Sequence, residues 1–182
     1  MKRISVIMIL MLCAMVCCRA QSWTVWYGTN LSNEVNNGEL KHWHYANGGV
    51  DYTRHLSQWD LTLGAGLSNK GGLLHASYAQ LEGNAGYRFL DTHNRFSLSA
   101  LTGPFFGVKL KDTHQDWIPN FPELRPVTFG WQAGVLLRFR PVALKVGYER
   151  ALMGYYDKAT TENYMLPTSA IHSLFLRVGV EF

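Results

Sequence analysis

Apolar and polar residues alternate along short segments of the chain, and the segments end at Gly, Asn, Asp or Pro. The clearest segment is the last, 171–182. Its apolar parity comprises Leu174, Leu176, Val178, Val180 and Phe182, and its other parity comprises Ser173, Phe175, Arg177, Gly179 and Glu181. Because successive side chains of a strand point to opposite faces, this alternation predicts a strand with one apolar and one mostly polar face. No segment from Gln21 onward has the period of a long amphipathic helix, so the chain is predicted to be all-β.

The same alternation places eight strands along the chain. They are predicted at about 22–30, 43–54, 59–68, 76–89, 95–110, 127–140, 142–152 and 171–182. Short connections, at 55–58, 90–94 and 140–141, alternate with longer ones, at 31–42, 69–75, 111–126 and 153–170. This order is typical of an eight-stranded antiparallel up-and-down barrel that crosses a membrane. Such barrels have tight turns and both termini on one side and longer loops on the other.

The two parities of each strand predict which side chains face lipid and which face the lumen. On the third strand, apolar Leu61 and Leu63 flank polar Thr62. In a membrane barrel the apolar parity faces outward and the polar parity faces inward. This assignment places the following charged residues in the lumen: Asp51, Asp60, Glu82, Arg88, Lys109, Arg138, Lys145, Glu149, Arg177 and Glu181.

The lumen of an eight-stranded barrel is about wide enough for side chains only. Opposite charges confined there should pair, because an unpaired buried charge is costly. The sequence therefore predicts a charge network that fills the lumen, formed by Glu82, Arg88, Arg138, Lys145, Glu149, Arg177 and Glu181. The three cations on successive strands, Arg138, Lys145 and Arg177, are expected to pair with Glu82, Glu149 or Glu181. A proton or ion path through the lumen is the alternative.

The first twenty residues have the features of a secretory signal peptide. Two basic residues precede an apolar run that ends at Cys18, and small-residue spacing predicts cleavage before Gln21. The run is shorter than the roughly 20 residues of a transmembrane helix. A lipoprotein leader is disfavoured, because no small residue directly precedes Cys17 or Cys18. We predict a signal peptide over 1–20 and a barrel domain over 21–182.

This leader changes how charge and cysteines are interpreted. The three cysteines, Cys13, Cys17 and Cys18, all lie in it, so the mature chain has no disulfide. Removing the three basic residues of the leader from the 17 leaves 14 against 13 acidic residues, and this balance gives no support for a nucleic-acid partner. A closed hydrogen-bonded barrel is then what holds an exported chain together.

The final aromatic residue, Phe182, follows alternate apolar residues, as in the closing strand of bacterial outer-membrane barrels. In those proteins such a residue is read by the assembly machinery. The resemblance implies that the chain lies in the cell outer membrane. Its predicted partners are outer-membrane lipid and, through the last strand, the assembly machinery.

Several segments, in order, resemble the outer-membrane β-barrel domain of PorT-like proteins, small barrels of OmpX or OmpA size common in Bacteroidota. The segments are LTLGAGLSNKGG (61–72), YAQLEGNAGYRF (78–89), SLSALTGPFFGVKL (97–110), FGWQAGVLLRF (129–139) with LKVGYERAL (144–152), and LFLRVGVEF (174–182). In that family a strand ends in a Lys-Gly loop, and a Tyr-x-x-(Leu/Ile) strand and a strand carrying Gly-Pro follow. Gly83 departs from the family, which often has proline there. The resemblance implies a barrel and, as one function, a component of a protein secretion or transport system.

The sequence contains neither a Ser-His-Asp order with a nucleophile elbow nor a phosphate loop. His42 and His44 flank Trp43 with a spacing that puts both imidazoles on one face, but no third metal ligand is close in sequence. We therefore predict no metal site, no cofactor and no enzymatic activity. A barrel enzyme is the least favoured of the functions considered.

The long loops are the predicted working surface. They contain Trp117, Phe121, Arg125, Tyr155 and Tyr156. Aromatic residues and arginine are favoured at binding interfaces, although aromatics at a membrane rim also contact headgroups. The favoured function is a non-enzymatic outer-membrane barrel with a structural, adhesive or accessory role. The alternative is a secretion or transport component, with an envelope or secretion partner bound through the loops.

Overall fold

The structure is a computed structural model that describes residues 21–36, 39–71, 75–92, 96–112, 124–153 and 172–182; for 33–36, 39–43 and 112 it describes the backbone alone. The strands are β1 (Gln21–Asn36), β2 (Glu39–Leu56), β3 (Trp59–Gly71), β4 (His75–Thr92), β5 (Phe96–Asp112), β6 (Val127–Phe139), β7 (Val142–Ala151) and β8 (His172–Glu181). Each strand pairs antiparallel with the next, and β8 pairs with β1 to close the barrel. The predicted eight-stranded antiparallel fold is confirmed. No helix among the described residues is long and apolar enough to cross a membrane.

Strands β1 and β8 form the seam that closes the barrel. Their register runs from Thr24 opposite Glu181 to Asn33 opposite His172. Beyond it, the Trp23 N–H donates to the Phe182 carbonyl at 3.1 Å, and the Phe182 N–H donates to the Trp23 carbonyl at 2.8 Å. The backbone of the last residue is therefore part of the sheet, and the barrel has no open edge along this seam.

Two of the long connections predicted from the sequence are wrong. At 31–42, β1 and β2 continue to the pair Asn36 and Glu39, and at 69–75, β3 and β4 continue to the pair Gly71 and His75. Polar side chains favoured loops there, but backbone N–H and C=O groups pair across strands whatever the side chains are. The other two long connections, predicted at 111–126 and 153–170, lie largely outside the described residues, between β5 and β6 and between β7 and β8. We call the barrel end that carries them the loop end, and the opposite end the turn end.

The strands differ in length over the described residues. β1, β2 and β4 have 16, 18 and 18 residues, whereas β7 and β8 have 10 each. About 9–11 tilted residues are enough to cross a bilayer. The β1–β2 hairpin continues past the last β1–β8 pair, Asn33 with His172. Among the described residues, β1 and β2 therefore remain paired beyond the point where the described pairing of β1 with β8 ends.

Side-chain exposure follows the predicted parities. On β3, Leu61 and Leu63 are 48% and 58% exposed, whereas Asp60 and Ser68 are each 2% exposed. Strands β6, β7 and β8 show the same alternation of exposed apolar and buried residues. The outer face is thus apolar and the lumen polar, the reverse of a barrel that folds in water. The assignment of the apolar parity to the outside and the polar parity to the inside is confirmed.

The lumen also contains apolar side chains, namely Trp26, Leu101, Phe105, Leu136 and Phe175. Two of the rings lie directly against glycines. A Cβ atom on Gly130 would lie 2.5 Å from the Phe105 ring, and one on Gly147 would lie 2.5 Å from the Phe175 ring. The glycines on the inward parity therefore leave the space that these rings occupy.

Candidate functional site

The described part of the lumen holds a balanced set of charges. Five carboxylates (Asp51, Asp60, Glu82, Glu149, Glu181) and four cations (Lys70, Arg138, Lys145, Arg177) are buried. Arg88, whose side chain is 16% exposed, is a fifth cation, so five cations face five carboxylates. Because a buried charge without a partner is strongly destabilising, this balance is what a narrow interior requires.

The central cluster is organised around Glu82 on β4. Lys145 Nζ donates to Glu82 Oε1 at 2.8 Å, and Arg177 Nη1 donates to Oε1 and Oε2 at 2.9 and 3.1 Å. Gln132 Nε2 donates to Oε2 at 2.7 Å. Lys145 also lies 3.3 Å from Asp51 Oδ2. The cluster thus reaches across the barrel, from β2 and β4 to β6, β7 and β8.

Little free space remains beside the central cluster. A cavity of about 20 Å³ borders Gln80 and Arg177, and another of about 10 Å³ borders Lys145. Each has room for about one water molecule. A Cβ atom on Gly64 would lie 2.3 Å from Asp51 Oδ1, so the carboxylates occupy the space above this glycine. Side chains fill the lumen at this level.

A second cluster lies at the turn end, around Asp60. Arg138 Nη1 donates to Asp60 Oδ2 at 2.6 Å, and Arg88 Nε lies 3.2 Å from Oδ1. His55 Nδ1 lies 2.7 Å from the same Oδ1. Arg138 Nε in turn lies 3.2 Å from Glu181 Oε2. These contacts connect five strands, β2, β3, β4, β6 and β8.

A third ion pair lies toward the loop end, where Lys70 Nζ is 3.0 Å from Glu149 Oε1. The same ammonium lies 4.0 Å from the centre of the Phe105 ring, a favourable cation–π distance. Lys70 was not among the residues predicted to face the lumen, because the predicted third strand ended at Ser68. The signal was present, since Lys70 continues the inward parity of Ser68.

The structure places all the predicted network residues in the lumen or at its turn-end mouth, but their partners differ in part from those expected. Lys145 and Arg177 contact Glu82, and Arg138 contacts Glu181. Glu149 contacts Lys70, which was predicted to lie in a loop. The outermost member, Arg88, contacts Asp60 and also the exposed Asp91, at 3.2 and 2.7 Å. Lys109, also predicted to face inward, is half-buried and donates to the Leu124 carbonyl at 2.9 Å.

One part of the turn-end cluster has the hydrogen-bond order of a serine-hydrolase triad. Ser22 Oγ lies 3.1 Å from His55 Nε2, and His55 Nδ1 lies 2.7 Å from Asp60 Oδ1. No sequence motif marks this arrangement, because its members come from three strands. However, Ser22 is 3% exposed, and Asp60 is shared with Arg138 and Arg88. A hydroxyl buried in this way is closed to a substrate carbonyl, so we interpret the arrangement as structural.

We expect Ser22 to be chemically inert. A fluorophosphonate probe should leave Ser22 of the purified barrel unmodified, because the hydroxyl is buried, and mass spectrometry of its peptide gives the measurement. A known serine hydrolase in the same reaction is the positive control. Labelling of Ser22 that is lost in the His55→Gln variant would contradict a structural role and identify an active nucleophile.

The predicted loop surface falls largely outside the described residues, which do not include Trp117, Phe121, Tyr155 and Tyr156. Arg125 is described and lies half-buried just before β6. Within the ranges that the structure describes, no group of three or more His, Cys, Asp or Glu side chains could hold a metal ion.

These observations define a small eight-stranded barrel with an apolar exterior and an ion-paired interior. In fold the chain is similar to the N-terminal β-barrel domain of Pseudomonas aeruginosa OprF, with 12% identity, 90% of this chain and 98% of that chain covered, and a TM-score of 0.52. It is also similar to Neisserial surface protein A, with 14% identity, 90% and 97% coverage, and a TM-score of 0.50. No protein-family model and no curated protein matches the chain in sequence. The likeness establishes the fold.

Proposed function

We propose that this chain is a small outer-membrane β-barrel protein, non-enzymatic, with a lumen filled by side chains. It serves a structural, adhesive or accessory role through the connections at its loop end. The observation that carries the proposal is the reversed polarity: Leu63 and Val178 are 58% and 51% exposed on the outer face, whereas Lys145 is 1% exposed inside. Exposed apolar surface is unfavourable in water by about 25 cal/mol per Å², and lipid removes this penalty.

Aromatic residues at the turn end support a membrane interface at that level. Trp23, Trp59, Phe89, Phe139 and Phe182 are 54%, 52%, 54%, 64% and 76% exposed. Aromatic residues accumulate where a membrane barrel meets the headgroups. The fold that the chain shares with the OprF domain and Neisserial surface protein A, both small outer-membrane barrels, gives further support.

The ends of the chain have separate parts in this proposal. Residues 1–20, outside the described ranges, direct export as a signal peptide that is removed before Gln21. Phe182 serves as the assembly signal: its backbone pairs with Trp23 and its ring points away from the barrel. The outer-membrane assembly machinery and lipid are the partners that follow from this arrangement.

Engineered cysteines test location and orientation together, because the native cysteines all lie in the proposed leader. Cysteine in place of Asp116 or Lys158, in the long connections, should react with a membrane-impermeant maleimide on intact cells. Cysteine in place of Thr92, at the turn end, should react only after lysis. Fractionation should recover all three variants in the outer membrane. Recovery as soluble periplasmic protein would overturn the proposal. Labelling of the Thr92 variant alone on intact cells would show that the turn end, and not the loop end, faces outward.

We expect the purified barrel to give no stable ion conductance in planar bilayers. The central cluster around Glu82 fills the cross-section, and its charges are paired, so a hydrated ion has no path. A porin in the same bilayer is the positive control. Large, steady channels from the wild-type barrel would show an open lumen, and the protein would then be a pore.

The PorT-like resemblance supports a second proposal, a component of a protein secretion or transport system. In that family the Lys-Gly pair lies in a loop. In this chain Lys70 lies in β3, and its ammonium pairs with Glu149 inside the barrel. A secretion partner would therefore contact the loop-end connections rather than Lys70. Deletion of the gene distinguishes the two proposals: lost export of other proteins favours the secretion component, and unchanged export favours the structural or adhesive barrel.

A further inference from the structure

The outer face of the barrel carries a groove of about 510 Å³. Its floor is formed by Gly83 and Ala85 on β4 and by Thr102 and Pro104 on β5, and Trp131 on β6 forms one wall. Sites that hold small molecules usually measure about 300–1,000 Å³. The groove is therefore large enough for a ligand, although it faces outward from the sheet.

The strand register explains why the groove forms here. Gly83 is paired with Leu63 on β3, and Pro104 is paired with Trp131 on β6, so two small residues lie between two large ones. A Cβ atom added to Gly83 would meet only Leu63 Cδ2, at 3.8 Å. The floor is thus open space that a larger side chain could fill without a clash.

The polar groups of the floor and wall satisfy one another. Trp131 Nε1 donates to Thr102 Oγ1 at 2.7 Å, and the Thr102 hydroxyl donates to the Gln132 carbonyl at 3.0 Å. Pro104 has no N–H to satisfy. The groove therefore offers a hydrocarbon chain an apolar surface with its hydrogen bonds already made.

Arg54 gives one end of the groove a positive charge. It lines the groove from the outward parity of β2, paired with Leu61. One step closer to the turn end, Trp59 and Tyr87 are paired and their rings lie 5.1 Å apart. These aromatics belong to the level where headgroups lie, and arginine is well suited to bind phosphate there. The groove thus joins an anion-binding end to an apolar floor.

We propose that this groove binds one phospholipid from the leaflet at the turn end. The phosphate contacts the Arg54 guanidinium, and one acyl chain lies over Gly83, against Trp131. The inference rests on the proposed membrane location, but it concerns a particular bound molecule. It distinguishes this side of the barrel from the β7–β8 side, where Val146, Leu176 and Val178 form an exposed apolar surface.

Native mass spectrometry tests this proposal on the full mature barrel, purified in mild detergent and supplied with phosphatidylglycerol. The wild-type barrel should retain one phospholipid. Gly83→Leu fills the floor and should weaken retention by about tenfold or more. Arg54→Gln should remove the preference for phosphatidylglycerol over uncharged diacylglycerol, and Arg54→Lys should keep part of it. Val178→Phe, which adds volume on the opposite side, is the matched control and should bind like wild type.

Heat-modified migration on gels shows which variants fold, and only folded barrels are compared. Equal retention by wild type and Gly83→Leu would overturn the proposal. So would retention of lipopolysaccharide in place of phospholipid, or a dimer that Gly83→Leu disrupts, since the occupant would then be a second copy of the chain. If the barrel fractionates with the outer membrane, any of these results overturns the phospholipid site and leaves the proposed function intact. A soluble location would overturn both the phospholipid site and the proposed function.

Discussion

Glu82→Gln is expected to lower the free energy of unfolding by about 3–5 kcal/mol, the usual cost of removing one partner from a buried ion pair. Glutamine has nearly the same shape as glutamate and can still accept a hydrogen bond, so little packing is lost. The negative charge shared by Lys145 and Arg177 disappears, however. Lys145 keeps Asp51 at 3.3 Å, so the larger part of the loss falls on Arg177.

Urea unfolding of the barrel in lipid vesicles, followed by tryptophan fluorescence, gives the measurement. Asp91→Asn is the matched control, because it removes an exposed carboxylate from Arg88 and should cost less than about 1 kcal/mol. Adding Arg177→Gln to Glu82→Gln should recover part of the loss, because the stranded cation is then gone. A Glu82→Gln barrel as stable as wild type would show that the central cluster is solvated rather than dry.

Leu176→Arg is expected to lower the free energy of unfolding by about 2–4 kcal/mol. Leu176 lies halfway along β8, and its side chain is 46% exposed on the outer face. At the middle of a bilayer an arginine loses its hydration, and no charge of opposite sign lies on the outer face near Leu176 among the described side chains of β1, β7 and β8. The size of the effect depends on whether lipid or water surrounds Leu176, which is why this change is informative.

Two comparisons make the Leu176→Arg result specific to lipid. Leu176→Phe keeps the site apolar and should change stability little. Val180→Arg, near the turn end, should cost about 0–1 kcal/mol, because the side chain can reach the interface. In a barrel surrounded by water, Leu176→Arg would fall within about 0.5 kcal/mol of wild type, as surface changes usually do. Such a result would contradict the membrane location.

The sequence was sufficient to predict which face of a strand each side chain lies on, because the alternation of side chains is a local property of a strand. Leu174 to Phe182 alternate in sequence and alternate in exposure, and the same holds on β3 and β6. Parity also identified the charges that face inward. The pattern did not predict where strands end. The polar segment after Leu31 was predicted to be a loop, but it is part of a paired strand that continues to Asn36.

The pairings inside the lumen could not be predicted in full, because they depend on the stagger between strands. The third strand was predicted to end at Ser68, so Lys70 was assigned to a loop and its pairing with Glu149 was not predicted. Ser22, His55 and Asp60 come from three strands, and only the register brings their polar atoms together. The groove above Gly83 likewise depends on the cross-strand neighbours Leu63 and Trp131, whose alignment the sequence does not state.

The seam between β1 and β8 also sets the order in which the molecule can fold. Trp23 and Phe182 are hydrogen-bonded, so the contacts that complete the sheet are those with the greatest separation along the chain. Loop-closure entropy makes such contacts slow to form, and topologies dominated by them fold slowly. Until the last strand docks, β1 and β7 both present unpaired edges that can join other chains. We therefore expect a chain that has not yet closed to associate with other chains through these two edges unless they are covered.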